Sequence, residues 1–203
     1  MEDFVTCIGM ERSGSTVSWQ ISSLLLGQRL EKTHEYVPGL ESCIYTYRNP
    51  IEAYFSLFLK LSDVYPKSVA ARHASRRIMI QKSNYENLVR DSNIGRNVLF
   101  IEYEKYYYNP EKRIQIIADF LNIKISIDKL KEIKDQTCIE RNIEISNSKN
   151  FGIIDNLSHL HGGHINEKSL GEPGFYIKNR NMFDTVAINQ KIIEFARFLG
   201  YYH

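Results

Sequence analysis

The sequence predicts an α/β fold, a parallel β-sheet flanked by helices, on two observations. Short apolar runs alternate with helical segments through the first half of the chain, the pattern that builds parallel strands joined by crossover helices. The apolar run Phe4-Val5-Thr6-Cys7-Ile8 is followed at once by Gly9-Met10-Glu11-Arg12-Ser13-Gly14-Ser15-Thr16 and then by a helical segment. A strand, a glycine-containing turn and a helix N-terminus in that order point several backbone N–H groups at one anion.

The elements follow in order. Residues 3–8 read as a buried strand, 14–27 as a helix and 29–33 as a short strand. Ser42-Cys43-Ile44-Tyr45-Thr46-Tyr47 is the next strand. Asn49-Pro50 opens a helix over 50–62, with proline in the first turn, where its missing N–H costs least. Residues 68–91 read as a helix that is strongly polar on one face, and 97–102 as another buried strand. Asn109-Pro110 starts a helix over 110–121, with Ile114, Ile117 and Leu121 on one stripe. Asp128 is expected to cap a helix over 128–138. Residues 139–174 are rich in Asn, Ser, His and Gly with little periodicity, and read as a long loop region of the functional or mobile kind. The segment 185–199 is a final amphipathic helix, with Gly200 at its C′ position.

At 203 residues and 43% apolar composition, the expectation is one domain with a sizeable core. A net charge of +2 does not indicate bulk attraction to nucleic acid or membranes. Cys7, Cys43 and Cys138 are an odd, scattered set, expected as free thiols in a reducing compartment, the cytoplasm. Glu2 and Asp3 precede only a short apolar run, unlike a signal peptide, and no apolar run approaches the length of a membrane span.

The loop at 9–16 has a Gly, four residues, a second Gly and then hydroxyl residues, but no lysine after the second Gly. Ser15 stands there, and the cation is Arg12, two residues before Gly14. The loop therefore predicts a phosphate other than the γ-phosphate of ATP. Lys32-Thr33-His34 closes the second strand, Arg48 follows the third, Ser56 lies eight residues on, and Tyr103-Glu104 ends the fourth. All fall at carboxyl ends of predicted strands, where ligands of such sheets bind.

Taken in order, these motifs resemble the signature set of the sulfotransferases that use 3′-phosphoadenosine 5′-phosphosulfate (PAPS). Gly171-Glu172-Pro173-Gly174-Phe175-Tyr176 is similar to the family's glycine–x–x–glycine–acid–tryptophan segment, and Thr185-Val186-Ala187-Ile188-Asn189-Gln190 to the start of its last helix. The resemblance implies a P-loop-type sulfotransferase fold. It implies that Ser13, Gly14, Ser15 and Thr16 hold the 5′-phosphosulfate, and that Arg12 stands for the family's lysine at the bridging oxygen. Arg48, Ser56 and Gly171 would serve the 3′-phosphate, Tyr103 would lie by the adenine, Lys32 would steady the leaving phosphate, and His34 would be the general base. It further implies PAPS as donor, adenosine 3′,5′-bisphosphate (PAP) as product, no required metal, and an acceptor bearing a hydroxyl or amine.

The chain also departs from the pattern. Val17 stands where the family has an adenine-stacking tryptophan, with Trp19 two residues on. Ser169-Leu170 replaces an arginine-lysine pair, with Lys168 as a substitute cation. Asn181 and Gln190 replace residues of the family's dimer motif, which leaves the oligomeric state open. The short interval from Arg12 to His34 suggests an open cleft suited to a small molecule, a sugar, a lipid head group or a polymer. Two other readings stay open: a kinase or nucleotide phosphotransferase, and a non-catalytic relative holding the bisphosphate. His159-Leu160-His161-Gly162-Gly163-His164 has metal-type ligands without a Cys or carboxylate to complete them, and reads as a polar loop or an acceptor contact. Arg72-His73-Ala74-Ser75-Arg76-Arg77 reads as a solvated helix face or a patch for an anionic acceptor.

Overall fold

The computed structural model describes residues 5–150, 153–156, 158–162, 164–165, 169–183 and 188–201. Strands β1 (Val5–Gly9), β2 (Glu31–Thr33), β3 (Ser42–Tyr47) and β4 (Asn97–Glu102) form one sheet in the order β2-β1-β3-β4. Every pairing is parallel, with Cys7 opposite both Lys32 and Ile44, and Ile44 opposite Leu99. β1 is internal, and the chain leaves it first to one side and then to the other. That places a topological switch point at the carboxyl end of β1, where a crevice opens.

Side chains alternate across the sheet. Cys7 and Ile44 face helices α1 (Ser15–Leu26), α5 (Pro110–Phe120) and α6 (Ile127–Thr137), and share a core with Trp19, Ile21, Ile114, Ile117 and Ile133. Ile8, Cys43 and Tyr45 face the other way, against Leu88 of α3 (Lys67–Asn93). α2 (Pro50–Ser62) and α9 (Gln190–Phe198) extend that second layer through Tyr54, Leu57, Phe58, Ile192 and Phe195. The molecule is thus helix, sheet, helix, as predicted.

Helix starts follow local chemistry. The Oδ1 of Asn49 accepts from the N–H of Ile51, and the Oδ1 of Asn109 from that of Lys112, each before the expected proline. The expected cap Asp128 is corrected to Ser126, whose Oγ accepts from the N–H of Lys129 and leaves Asp128 inside the first turn. The expectation of loop throughout 139–174 is also corrected. α7 (Ile139–Asn147) is helical, and its buried positions Asn142 and Ser146 are polar. Its isoleucines, Ile139, Ile143 and Ile145, are half-buried, and the four-residue spacing of Ile139 and Ile143 was the helical signal the sequence offered. Two short helices complete the chain, α4 (Tyr103–Tyr107) directly after β4 and α8 (Phe175–Lys178). The expected final helix begins at Gln190 in the structure. Residues 184–187 lie outside the described residues, and so does Lys168.

Among the described residues no helix is long and apolar enough to cross a membrane.

Candidate functional site

The loop after β1 is built by close packing. A Cβ on Gly9 would lie 2.4 Å from both the Cβ of Ser15 and the Oγ1 of Thr46, so only glycine lets β1, α1 and β3 approach this closely. Gly14 has φ +74°, and a Cβ there would lie 2.8 Å from the ring of Tyr103. Gly14 caps α1 without a side-chain hydrogen bond, and the first N–H groups of a helix have no intrahelical acceptor. The turn therefore presents N–H groups and the dipole end of α1. Ser13 departs from its expected role. Its buried Oγ donates to the Met10 carbonyl at 2.6 Å and lies 2.8 Å from the Thr46 Oγ1, while its N–H also donates to Met10. It holds the loop's shape, and Gly14, Ser15 and Thr16 line the cleft.

That cleft, about 360 Å³, lies over the carboxyl ends of the strands. It is lined by Arg12, Gly14, Ser15, Thr16, His34, Arg48, Ser56, Tyr103 and Gly171 among others, so the structure brings together all but two of the expected site residues. The exceptions are Ser13 and Lys32. Lys32 sits on β2 opposite Cys7, and burial pushes its ammonium down to about 8. It acts on the cleft as a nearby charge.

Arg12 has the left-handed φ of 67°, a conformation that costs a non-glycine residue about 1–2 kcal/mol. Its guanidinium is tied at both ends: Nε donates to the Ser56 Oγ at 2.9 Å and an Nη to the His164 carbonyl at 2.8 Å. It thus reaches the residue expected at the 3′-phosphate. Arg48 is only 2% exposed. Its guanidinium lies 3.4 Å from Glu52 and 3.6 Å from Glu104, donates to the Arg12 carbonyl, and covers the Tyr103 ring at 4.6 Å. The Tyr103 hydroxyl donates to the Gly171 carbonyl at 2.8 Å, which joins the end of β4 to the 169–174 segment.

His34 is held from both sides. Its Nδ1 lies 2.7 Å from the Gly9 carbonyl. A carbonyl only accepts, so Nδ1 carries the proton and Nε2 keeps its lone pair. The His34 carbonyl accepts from Gln81 Nε2 at 3.0 Å and Asn84 Nδ2 at 2.8 Å, two buried amides of α3. Burial first, and then the charge of Lys32, push its pKa below the ordinary 6.5. Beside it Glu11 pairs with Arg77 at 2.7 Å.

His161 and His164 lie beside the loop and line the same cleft. His164 Nε2 is 3.2 Å from the Thr16 Oγ1, and the His164 N–H donates to the Ser146 Oγ of α7. The His161 Nδ1–H donates to the Gly162 carbonyl, which leaves Nε2 to accept from Lys60 at 3.2 Å. His159 turns away and packs its ring 5.1 Å from Trp19. Trp19 is itself 2% exposed and donates to the Leu30 carbonyl, on the core side of α1. Among the described residues no three His, Cys, Asp or Glu side chains are placed to hold a metal.

Sequence reasoning missed several members of the site. Glu52 is 1% exposed, accepts from the N–H groups of Tyr176 and Ile177, and so couples Arg48 to α8. Its four-residue spacing from Arg48 was the available signal. Arg113, from α5, lies 5.9 Å over the Tyr103 ring, and nothing in its local sequence marks it. Lys60 sits one turn beyond Ser56 on α2, a relation legible once the helix is known.

Fold and loop define an α/β protein with a phosphate-binding-type turn at the switch point of a parallel sheet. A family model described as "Sulfotransferase domain" matches residues 40–153, more than half of the chain, and the chain belongs to that family. Among curated protein sequences there is no match. Mouse sulfotransferase SULT7A1, crystallised with PAP, aligns at TM-score 0.58 and 17% identity over 92% of this chain and 83% of its own. Retinol dehydratase with androsterone and inactive cofactor PAP aligns at TM-score 0.67 and 14% identity, over 95% of this chain and 78% of its own. Its complex with retinol and PAP gives 0.62 and 15%, over 95% and 80%. At these identities the likeness is one of fold.

Proposed function

We propose that this protein transfers a sulfuryl group from PAPS to a hydroxyl or amine of an acceptor, with His34 as general base. The observation that carries this is the anchoring of His34. Its Nδ1–H is on the Gly9 carbonyl and its Nε2 has a lone pair, in one cleft with the loop, Arg48 and Ser56. PAPS supplies the sulfuryl group and PAP remains. His34 Nε2 takes the acceptor's proton as the acceptor oxygen bonds to sulfur. The bond from sulfur to the bridging oxygen breaks, and negative charge grows on the 5′-phosphate. The N–H groups of Gly14, Ser15 and Thr16 and the charges of Arg12 and Lys32 stabilise it. Arg48 and Ser56, with the backbone at Gly171, take the 3′-phosphate, and Tyr103 faces the adenine. This chemistry requires no metal. One domain carries it, and the free thiols Cys7, Cys43 and Cys138 support a cytoplasmic setting.

A second reading, a relative that holds the bisphosphate without transferring sulfate, rests on the departures from the family pattern at Val17 and Ser169-Leu170.

Calorimetric titration with PAP, against ADP with magnesium, tests the reading. The expected result is a preference for PAP that Arg48→Ala abolishes. A preference for magnesium-ADP would replace the sulfotransferase with a phosphotransferase. PAP binding without consumption of PAPS against any acceptor would favour the second reading.

A further inference from the structure

The cleft contains a cation that the donor roles leave unused. Lys60 lines it from α2, half-buried, with its Nζ donating to His161 Nε2 at 3.2 Å. Among the described residues no carboxylate lies within ion-pair reach of it. Glu11, which acts electrostatically on Lys60, is already paired with Arg77 at 2.7 Å. Burial and the charge of Arg12 push Lys60 down to about 8. An ammonium taken from water without a counter-ion is costly, and an apolar side chain of similar volume would serve packing better. The cost makes sense when an anion arrives with a ligand.

The position says which ligand. His34, after β2, and Lys60, on α2, line the same cleft, so an anion held by Lys60 shares that cleft with the proposed base. Ile139, Ile154, Leu160 and Ile165 line the same cleft and offer an apolar wall for the body of a bound molecule. We propose that Lys60, oriented by His161, binds an anionic group of the acceptor. The acceptor is then a hydroxyl-bearing molecule that carries a carboxylate, sulfate or phosphate near its accepting oxygen. This rests on the sulfotransferase reading above.

The test uses the full chain saturated with PAP, so that the donor's phosphate sites are filled. Glucuronate and glucose, which differ in one carboxylate, are titrated by NMR. Glucuronate is expected to bind at least about tenfold more tightly, the worth of one modest charge-assisted contact. Lys60→Met should reduce that preference to under about twofold, and Lys60→Arg should restore most of it, while PAP affinity stays within about twofold in both. Equal binding of the two sugars, binding of neither, or a preference that survives Lys60→Met overturns the proposal. A tenfold loss of PAP affinity in Lys60→Met also overturns it, because the lysine then belongs to the 3′-phosphate. Failure of the native protein to bind PAP, seen before any sugar is added, overturns the donor reading and the acceptor proposal with it. Lys60→Met removes an uncompensated cation and should melt no lower than the native protein, which separates loss of binding from loss of fold.

Discussion

His34 shows how one side chain acquires a role from its partners. The Gly9 carbonyl selects its tautomer, and Gln81 and Asn84 hold its backbone. Replacing it by alanine leaves the loop, Arg48 and Ser56 in place. His34→Ala should bind PAP within about twofold of the native protein and lose about 100-fold or more in transfer rate. Normal transfer by this variant would remove His34 from the mechanism. Because burial and Lys32 lower its pKa, the imidazole stays unprotonated below its ordinary range, and with His34 as the proposed base the acid limb of kcat/KM should lie below pH 6.5. The order Lys32-Thr33-His34 at a strand end made the histidine legible in the sequence. Which nitrogen is free was not legible, because it depends on a carbonyl twenty-five residues away. Ser13 illustrates the same limit. A serine in such a loop reads as a ligand, and only packing shows its hydroxyl turned inward to Met10 and Thr46.

At the scale of elements, strands and amphipathic helices announce themselves through apolar periodicity, and all four strands stand close to where the sequence puts them. α7 was missed although Ile139 and Ile143 stand four residues apart, and the side chains it buries fully are an amide and a hydroxyl. Asn142 exchanges hydrogen bonds with Gln20 of α1 at 3.1 and 3.3 Å and donates to the Thr137 carbonyl, and Ser146 donates to the His161 carbonyl. These contacts dock α7 against α1 and His161. Asn142→Leu should therefore leave the Gln20 carbonyl buried without a donor and cost about 1–3 kcal/mol in urea unfolding. Amide exchange at 139–147 should quicken by more than elsewhere. A loss under about 0.5 kcal/mol, typical of a surface change, would mean that α7 is not docked this way. The sequence reading puts the cap of α6 at Asp128, and the structure puts it at Ser126. The serine wins because it precedes the first turn and can reach the N–H of Lys129, whereas the aspartate, already helical, can serve only the dipole.

Across the whole molecule, cations and imidazoles collect at one edge of the sheet. Arg12, Lys32 and Lys60 repel protons from His161 and His164, and Lys32 also acts on His34 and His159. With burial the leading cause in every case, His159 falls to about 4 and His164 to about 2, and His34 and His161 also drop. An unfolded histidine titrates near 6.5. Below that pH the unfolded chain binds protons that the folded chain refuses, so the histidine contribution to stability is whole above about pH 6.5 and is lost as pH falls through the folded pKa values. The melting temperature should decline steadily from pH 7 to pH 5. PAP, by bringing negative charge to the same edge, should flatten the decline. A melting temperature that does not change over this range without ligand would show that these histidines are not held neutral by the fold.

The sequence by itself determined the layered parallel architecture, the loop at 9–16, and most of the strand-end residues that line one crevice. Each of these depends on local pattern: apolar runs, glycine and proline punctuation, and the rule that strand ends share an edge. Tertiary structure alone decided the partners. It joined Arg12 to Ser56, Arg48 to Glu104, Tyr103 to Gly171, and His164 to Thr16. It also left Lys60 facing the cleft with an imidazole beside it. Such pairings depend on how helices lie across the sheet and on which side chains lose their water there. Both arise from contacts between segments distant in sequence, so no spacing within a single segment encodes them.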